Sequence, residues 1–326
     1  MTPPSESSAA SPQASHRLRG YLCIAGATFG WGVSAAIGKA VFTGRLLGGH
    51  HATEIEPLIL SQMRTTFGFL MLLPVLLITR GRRLFAFRRM DWFKCMVMGA
   101  AGISGSNFFY YVAIRKTTIA IGITMQYLAP IVVLLYMVAV HRQRPTLQRI
   151  AGVMVAVVGS AMTIGLFHTE WRLNIVGVAA GIASAVAFAF YNIIGHGLLE
   201  HYDRWTVFMF AMMGSAIGWA FVNPPWKIAA AHYTAEQWGF MFAFSAFASV
   251  LAYGLYFTGL QYLDPTRAIV ASCLEAVFAV LIAIVYPGEV PSMMQVAGIV
   301  LVLIATVAVQ LPSGEAVAEE MGVPGS

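Results

Sequence analysis

The sequence predicts an all-α integral membrane protein whose ten transmembrane helices form two inverted five-helix repeats. Three observations predict it: a chain with too few charges to face water, apolar segments long enough to span a bilayer, and an internal spacing that recurs without a gap. Of the 326 residues, 58% are hydrophobic and 10% charged. A soluble domain carries about 25% charged residues because its surface must be hydrated. Most of this surface must therefore face lipid, which makes the lipid bilayer the first partner.

A hydrocarbon core of about 30 Å takes roughly 20 apolar residues of helix. Segments 20–42, 57–78, 92–114, 117–140, 145–166, 173–199, 204–223, 237–262, 266–286 and 292–311 meet that length. The sixth and eighth are longest, so tilt or an interfacial extension is expected there. Barrel strands would be about 10 residues long with alternating polarity, and these runs do not alternate. Residues 1–19 read as a disordered cytoplasmic tail, opening on a Ser-, Pro- and Ala-rich stretch. They lack the ordered regions of a signal peptide, so the first apolar run is expected to stay as a helix. Residues 312–326 read as an acidic tail carrying Glu315, Glu319 and Glu320.

Cationic side chains set the orientation. With the N-terminus inside, thirteen of the 20 Lys and Arg fall on the cytoplasmic side, six fall outside, and Arg64 lies within a span. Thr79 to Asp91 carries most of the bias. Both termini are expected to be cytoplasmic. The sequence pI of about 9.3 comes from short loops rather than a soluble domain, so no nucleic-acid partner is indicated. Cys23, Cys95 and Cys273 all lie in spans, and without a CxxC spacing they read as small packing residues. His196, Glu200, His201 and Asp203 read as a solvated helix end, since His-x4-His does not place both rings on one helical face. His50-His51 is no more persuasive, and neither a metal nor a cofactor is expected.

Sliding the chain by 146 residues aligns 110–159 on 256–305 without a gap. Tyr110 meets Tyr256, Pro145 meets Pro291, and Ala151-Gly152 meets Ala297-Gly298. Proline suits a first helical turn, and Ala-Gly further along permits close helix packing. An offset of 157 places Trp31 on Phe188 and Ile37-Gly38 on Ile194-Gly195. Because five spans are odd in number, the second half enters from the opposite face. The predicted units are 20–166 and 173–311, the arrangement that lets one site alternate between two faces.

Several features together resemble the EamA-type transporters of the drug/metabolite transporter superfamily. They are Gly30-Trp31-Gly32, Arg64, Leu128-Ala129-Pro130-Ile131, Leu274-Glu275-Ala276-Val277, Gly288-Glu289 and Ala297-Gly298. The resemblance runs over about residues 20–311. It departs from the family in splitting a Leu-Glu-Pro motif: Pro130 stands in the first half without a glutamate, and Glu275 in the second without a proline. Arg142-Gln143 stands where a first-half Gly-Glu would. The resemblance implies a central cavity lined by the first, third, fourth, sixth, eighth and ninth helices. It also implies secondary transport of small metabolites, often outward, in a bacterial inner membrane. The first-helix carboxylate of the short multidrug relatives is missing, because 20–42 has no acidic residue.

Ionisable groups within a span are functional candidates by default. Glu275, ten residues into its segment, either exchanges a proton or cation or holds a helix break as a neutral acid. Arg64 either binds a substrate carboxylate, pairs with Glu275, or snorkels outward. Lys39 reads as an interfacial anchor. Pro130 is expected to break the fourth helix and free carbonyls. Asn107, Gln126, Asn192 and Gln62 either touch a ligand or bond a neighbouring helix. Trp31, Tyr110, Tyr111, Tyr127, Phe188, Tyr191, Tyr253 and Tyr256 lie on helices the family uses around its cavity. They suit an amphipathic or aromatic small-molecule substrate by stacking, or by cation–π contact with an amine. The expected function is therefore a secondary active transporter, an exporter of amino acids or related amphipathic compounds. The alternatives weighed are a membrane-embedded lipid-modifying enzyme, which would want clustered acids or a zinc pair, and a channel, which would want charged rings or a carbonyl filter. No signal bears on oligomeric state.

Overall fold

The computed structural model describes residues 12–42, 55–117, 119–142, 145–166, 174–285 and 290–309, and all regular structure among them is helical. The first half contains α1 (Pro12–Phe42) and α2 (Pro57–Arg80). Next, α3 (Arg89–Val97) passes through a π-helical turn, Met98–Ser104, into α4 (Gly105–Lys116). Then α5 (Ile119–Gln126) and α6 (Ala129–His141) follow one another across a break, and α7 (Leu147–Thr163) completes the half. The second half contains α8 (Ile175–Leu199), α9 (Arg204–Val222) and a short α10 (Pro225–Ala230). After these come α11 (Ala235–Ser245), a second π turn at Ala246–Leu251, and α12 (Ala252–Leu260). A broken pair, α13 (Pro265–Ser272) and α14 (Leu274–Val285), precedes α15 (Met293–Ala308).

Six helical stretches are long and apolar enough to cross a bilayer, namely Pro57–Phe85, Ile121–Val140, Ile175–Leu199, Arg204–Val222, Ala235–Leu260 and Pro265–Val285. The apolar helices α7 and α15 are shorter, at 17 and 16 residues. The chain is a polytopic, all-helical membrane protein. Two expectations change in detail. The first helix starts at Pro12, inside the segment read as tail, and 266–286 is broken as well as 117–140. Gly288-Glu289, Gln143, His50-His51, residues 1–11 and 310–326, and the side chain of Lys39 lie outside the described residues.

The 146-residue offset is visible in the backbone. It carries Tyr127, in the first break, onto Cys273, in the second, and it carries α7 onto α15. It also overlays the two π turns almost entirely. Contacts exchange between the halves in the same way. Helix α1 packs on α12 and α14, while α8 packs on α4 and α5. Helices α2 and α9 meet each other, as do α7 and α15. At this last crossing the small residues have reciprocal partners: a Cβ on Gly298 would strike the Thr163 backbone, and one on Gly152 would strike Val309, the residue equivalent to Thr163. The Ala-Gly spacing thus serves close helix packing, as expected.

At the arginine-rich end, the turn after α8 holds the segment that joins α2 to α3. The Tyr202 ring stacks on Phe87 at 3.8 Å, and its hydroxyl donates to Asp91 Oδ2 at 2.8 Å. Asp203 caps α9 by accepting from the Trp205 and Thr206 amides, and it pairs with Arg80 at 2.9 Å. Hydrogen bonds from Lys94 and then Tyr202 hold the Asp91 carboxyl below its ordinary 3.8. A lowered carboxyl stabilises the fold above that ordinary value and loses its contribution as pH falls through the lowered one. Asp91→Asn is therefore expected to melt at a lower temperature than the unaltered chain near pH 7. Melting curves in detergent should converge below pH 3.8; a gap unchanged in acid would refute the assignment.

Candidate functional site

The two helix breaks have different local causes. In the first, Pro130 occupies the opening turn of α6, where its missing N–H costs nothing. The preceding residues turn through Leu128 N–H to the Met125 carbonyl at 3.2 Å, and Leu128 O then accepts from Ile131 N at 3.0 Å. The second has Ala276 in the equivalent place. There the Cys273 amide donates to Val270 O at 3.1 Å and the Ala276 amide to Cys273 O at 3.2 Å, so tight i→i+3 bonds make the break without a proline. As a result Glu275 stands in the first turn of α14. Free amides at a helix start favour a negative charge.

The Glu275 carboxylate accepts no hydrogen bond and forms no ion pair among the described residues. Tyr110, Tyr127, Tyr191 and Tyr253 stand close enough for its charge to reach their hydroxyls, and Arg64 is the cation that faces it. These groups come from α2, α4, the first break, α8, α12 and α14. Residues more than 200 positions apart thus converge on one carboxylate.

Beside this centre lies an aromatic wall. The Trp31 ring sits 4.8 Å from Tyr253 and 5.1 Å from Tyr256. Tyr191 lies 6.2 Å from Tyr256 and 5.1 Å from Phe188. Offset and edge-on pairs at these separations are favourable. Tyr256 is fully buried and donates to Asn192 Oδ1 at 2.5 Å, while Asn192 Nδ2 donates to Phe188 O at 2.9 Å. Trp31 Nε1 is buried with no acceptor among the described residues. A substrate oxygen could satisfy that donor.

The uncharged polar candidates divide. Gln126 donates to Ser106 Oγ at 2.9 Å and Ser184 Oγ at 3.1 Å, joining α5 to α4 and α8. Gln62 donates to Asn223 O at 3.0 Å, and Asn107 to Ile103 O at 2.8 Å while lying beside the Tyr253 hydroxyl. Gln126, Asn192 and Tyr256 therefore serve as interhelical bonds and wall; Glu275, Arg64, Tyr110, Tyr127 and Tyr253 form the charged and hydroxyl-bearing face. His196, in the last turn of α8, sets Nδ1 3.1 Å from Leu260 O and Nε2 3.7 Å from Glu200.

Arg64 is held by the second π turn. Its Nη2 donates to Ala248 O at 3.3 Å, its guanidinium lies 5.7 Å from the Phe244 ring centre, and its own carbonyl accepts from Ser245 Oγ at 2.6 Å. A π turn displaces carbonyls from the regular ladder, which is how Ala248 comes to offer one. Arg64 stands out in the sequence as a charge within a span, but no residue signature marks the turn that positions it.

The EamA-like transporter family matches residues 18–165 and again 175–311. The chain belongs to that family. It is 21% identical over 196 residues to the uncharacterized transporter YxxF of Bacillus subtilis (strain 168), an alignment spanning 60% of this chain and 62% of that relative. A solved crystal structure superposes with a TM-score of 0.69 at 18% identity, over 90% of this chain and 96% of the other. At that identity the likeness shows the fold. The matched family and the relative are both named as transporters.

Proposed function

We propose that the protein is a secondary active exporter of small metabolites, with amino acids or related amphipathic compounds favoured, working by alternating access in a bacterial inner membrane. In this reading ten helices cross the membrane as two inverted five-helix repeats, with both termini cytoplasmic. The observation that carries it is the pair of helix breaks at equivalent repeat positions, one of which sets Glu275 before Arg64 and four tyrosines with no hydrogen bond or ion pair of its own among the described residues. Glu275 exchanges a proton or cation; Arg64 holds a substrate carboxylate; Trp31, Tyr110, Tyr127 and Tyr191 enclose its apolar or aminated part. Gln126, Asn192, Tyr256 and Asn107 set the positions of these walls. Such a cage suits a small zwitterion better than a polyphosphate, which would call for more cations than Arg64, the one that acts on Glu275 among the described residues.

The test is an untargeted comparison of metabolites inside and outside cells that overexpress either the chain or its Glu275→Gln variant. Several-fold enrichment of a small set of amphipathic compounds in the medium, with the unaltered chain only, is the expected result. Indistinguishable profiles would sink the assignment of Glu275, and enrichment inside the cells would reverse the direction.

A further inference from the structure

Helices α2 and α9 pack along one another, but the space beside them is filled differently at their two ends. At the arginine-rich end aromatic rings fill it: Phe210 has Phe87 at 5.5 Å, Phe85 at 6.4 Å and Trp92 at 6.5 Å. At the other end, under α10, a laterally open groove of about 540 Å³ remains. Its walls are almost wholly apolar, with Phe69 and Leu70 from α2, Met213, Ala216 and Ala220 from α9, and Trp238 from α11. From Gln62 to Leu70 the groove follows α2 for about 12 Å, reckoned at the helical rise. It therefore runs from the membrane interface toward the interior, as an acyl chain does.

The mouth has matched polarity. Gln62 lines the groove at 4% exposure, and its Oε1 has no donor among the described residues. Asn223, fully buried behind it, has an Nδ2 with no acceptor there. Lys227 reaches Asn223 Oδ1 at 2.8 Å and lies 3.9 Å from Glu56, and both charged groups stay accessible. One spare acceptor thus lines this end of the groove, with an accessible cation and anion beside it, the cation on the same short helix as the lining residues Pro225 and Ile228. Buried polar atoms left unmatched are costly, so this end of the groove is built for a polar occupant.

We propose that the groove holds one phospholipid with a zwitterionic, N–H-bearing head group. Its acyl chain lies between α2 and α9, its phosphate meets Lys227, and its ammonium meets Glu56 and Gln62 Oε1. The balanced charge of the mouth selects against a purely anionic lipid, and the spare acceptor selects against a head group without N–H donors. This inference is independent of what the central site transports.

The test is native mass spectrometry of the full chain, delipidated and then offered phosphatidylethanolamine, phosphatidylcholine or phosphatidylglycerol with identical acyl chains. One phosphatidylethanolamine per chain is expected, with at least tenfold lower occupancy by the other two. Ala216→Phe with Ala220→Phe fills the groove and should lower retention at least tenfold without lowering the melting temperature. If that variant does not fold, Glu56→Gln with Lys227→Gln decides the matter at accessible positions, where selectivity for phosphatidylethanolamine should vanish. Equal binding of phosphatidylcholine by the unaltered chain, retention by the filled variant, or a soluble molecule in place of lipid would each overturn the proposal.

Discussion

Replacing Glu275 by glutamine is expected to lower gradient-driven flux in proteoliposomes at least tenfold while leaving the melting temperature within a degree or two. The two halves of that expectation rest on different observations. Glutamine keeps the shape of glutamate, and the carboxylate accepts no hydrogen bond from the described residues, so no bond is lost on substitution. What the change removes is the capacity to carry a proton and the negative charge facing Arg64. Substrate exchange without a gradient should survive, because Trp31, Tyr127 and Tyr191 are untouched. Glu275→Asp keeps the charge but draws it back by one methylene, and should retain partial flux. Gradient-driven rates equal to those of the unaltered chain in Glu275→Gln would remove the coupling role; loss of exchange as well would move Glu275 from coupling to substrate binding.

Composition is a property of the whole surface, so membrane residence and an all-helical fold could be read from the sequence before any residue was singled out. The repeat was legible where it used chemically special residues, as in the Pro-x5-Ala-Gly spacing whose glycines mark close contact between α7 and α15. Two kinds of feature were hidden. The π turns have no residue signature; they arise where a helix must re-register to pack, as Met98–Ser104 does against α9. The break at Cys273 was hidden because no proline marks it, and its i→i+3 bonds depend on surroundings rather than on local propensity. For the site, residue type indicated what each group can do but not which partner it has. Gln126 could equally have met a ligand, and only the approach of Ser106 and Ser184 commits its amide to the helix junction. Glu275 and Arg64 stood out because charge within a span is costly wherever it falls.

The glycines of α9 give an expected result whose sign depends on backbone contact alone. A Cβ on Gly214 would collide with the Met96 carbonyl oxygen, and one on Gly99 would collide with the Ala211 carbonyl oxygen. These reciprocal approaches, with Ser104 Oγ bonded to Ser215 O at 2.8 Å, fasten α9 to the first π turn. Neither carbonyl can swing aside, because each belongs to a helix backbone. Gly214→Ala should therefore push the helices apart and cost about 1–3 kcal/mol, the range for overpacking, despite alanine's better helix propensity. At Gly197, in α8, a Cβ would meet nothing within 4 Å. There the same substitution should stabilise by about 0.5–1 kcal/mol through propensity alone. Thermal melting of the two variants in detergent separates the effects, since one methyl group is added to a helical glycine in both. Shifts of the same sign would mean that propensity governs both positions. Opposite shifts place the energetic weight on the α9 contact, and Gly214→Ala should then also slow transport by disturbing the turn that crosses it.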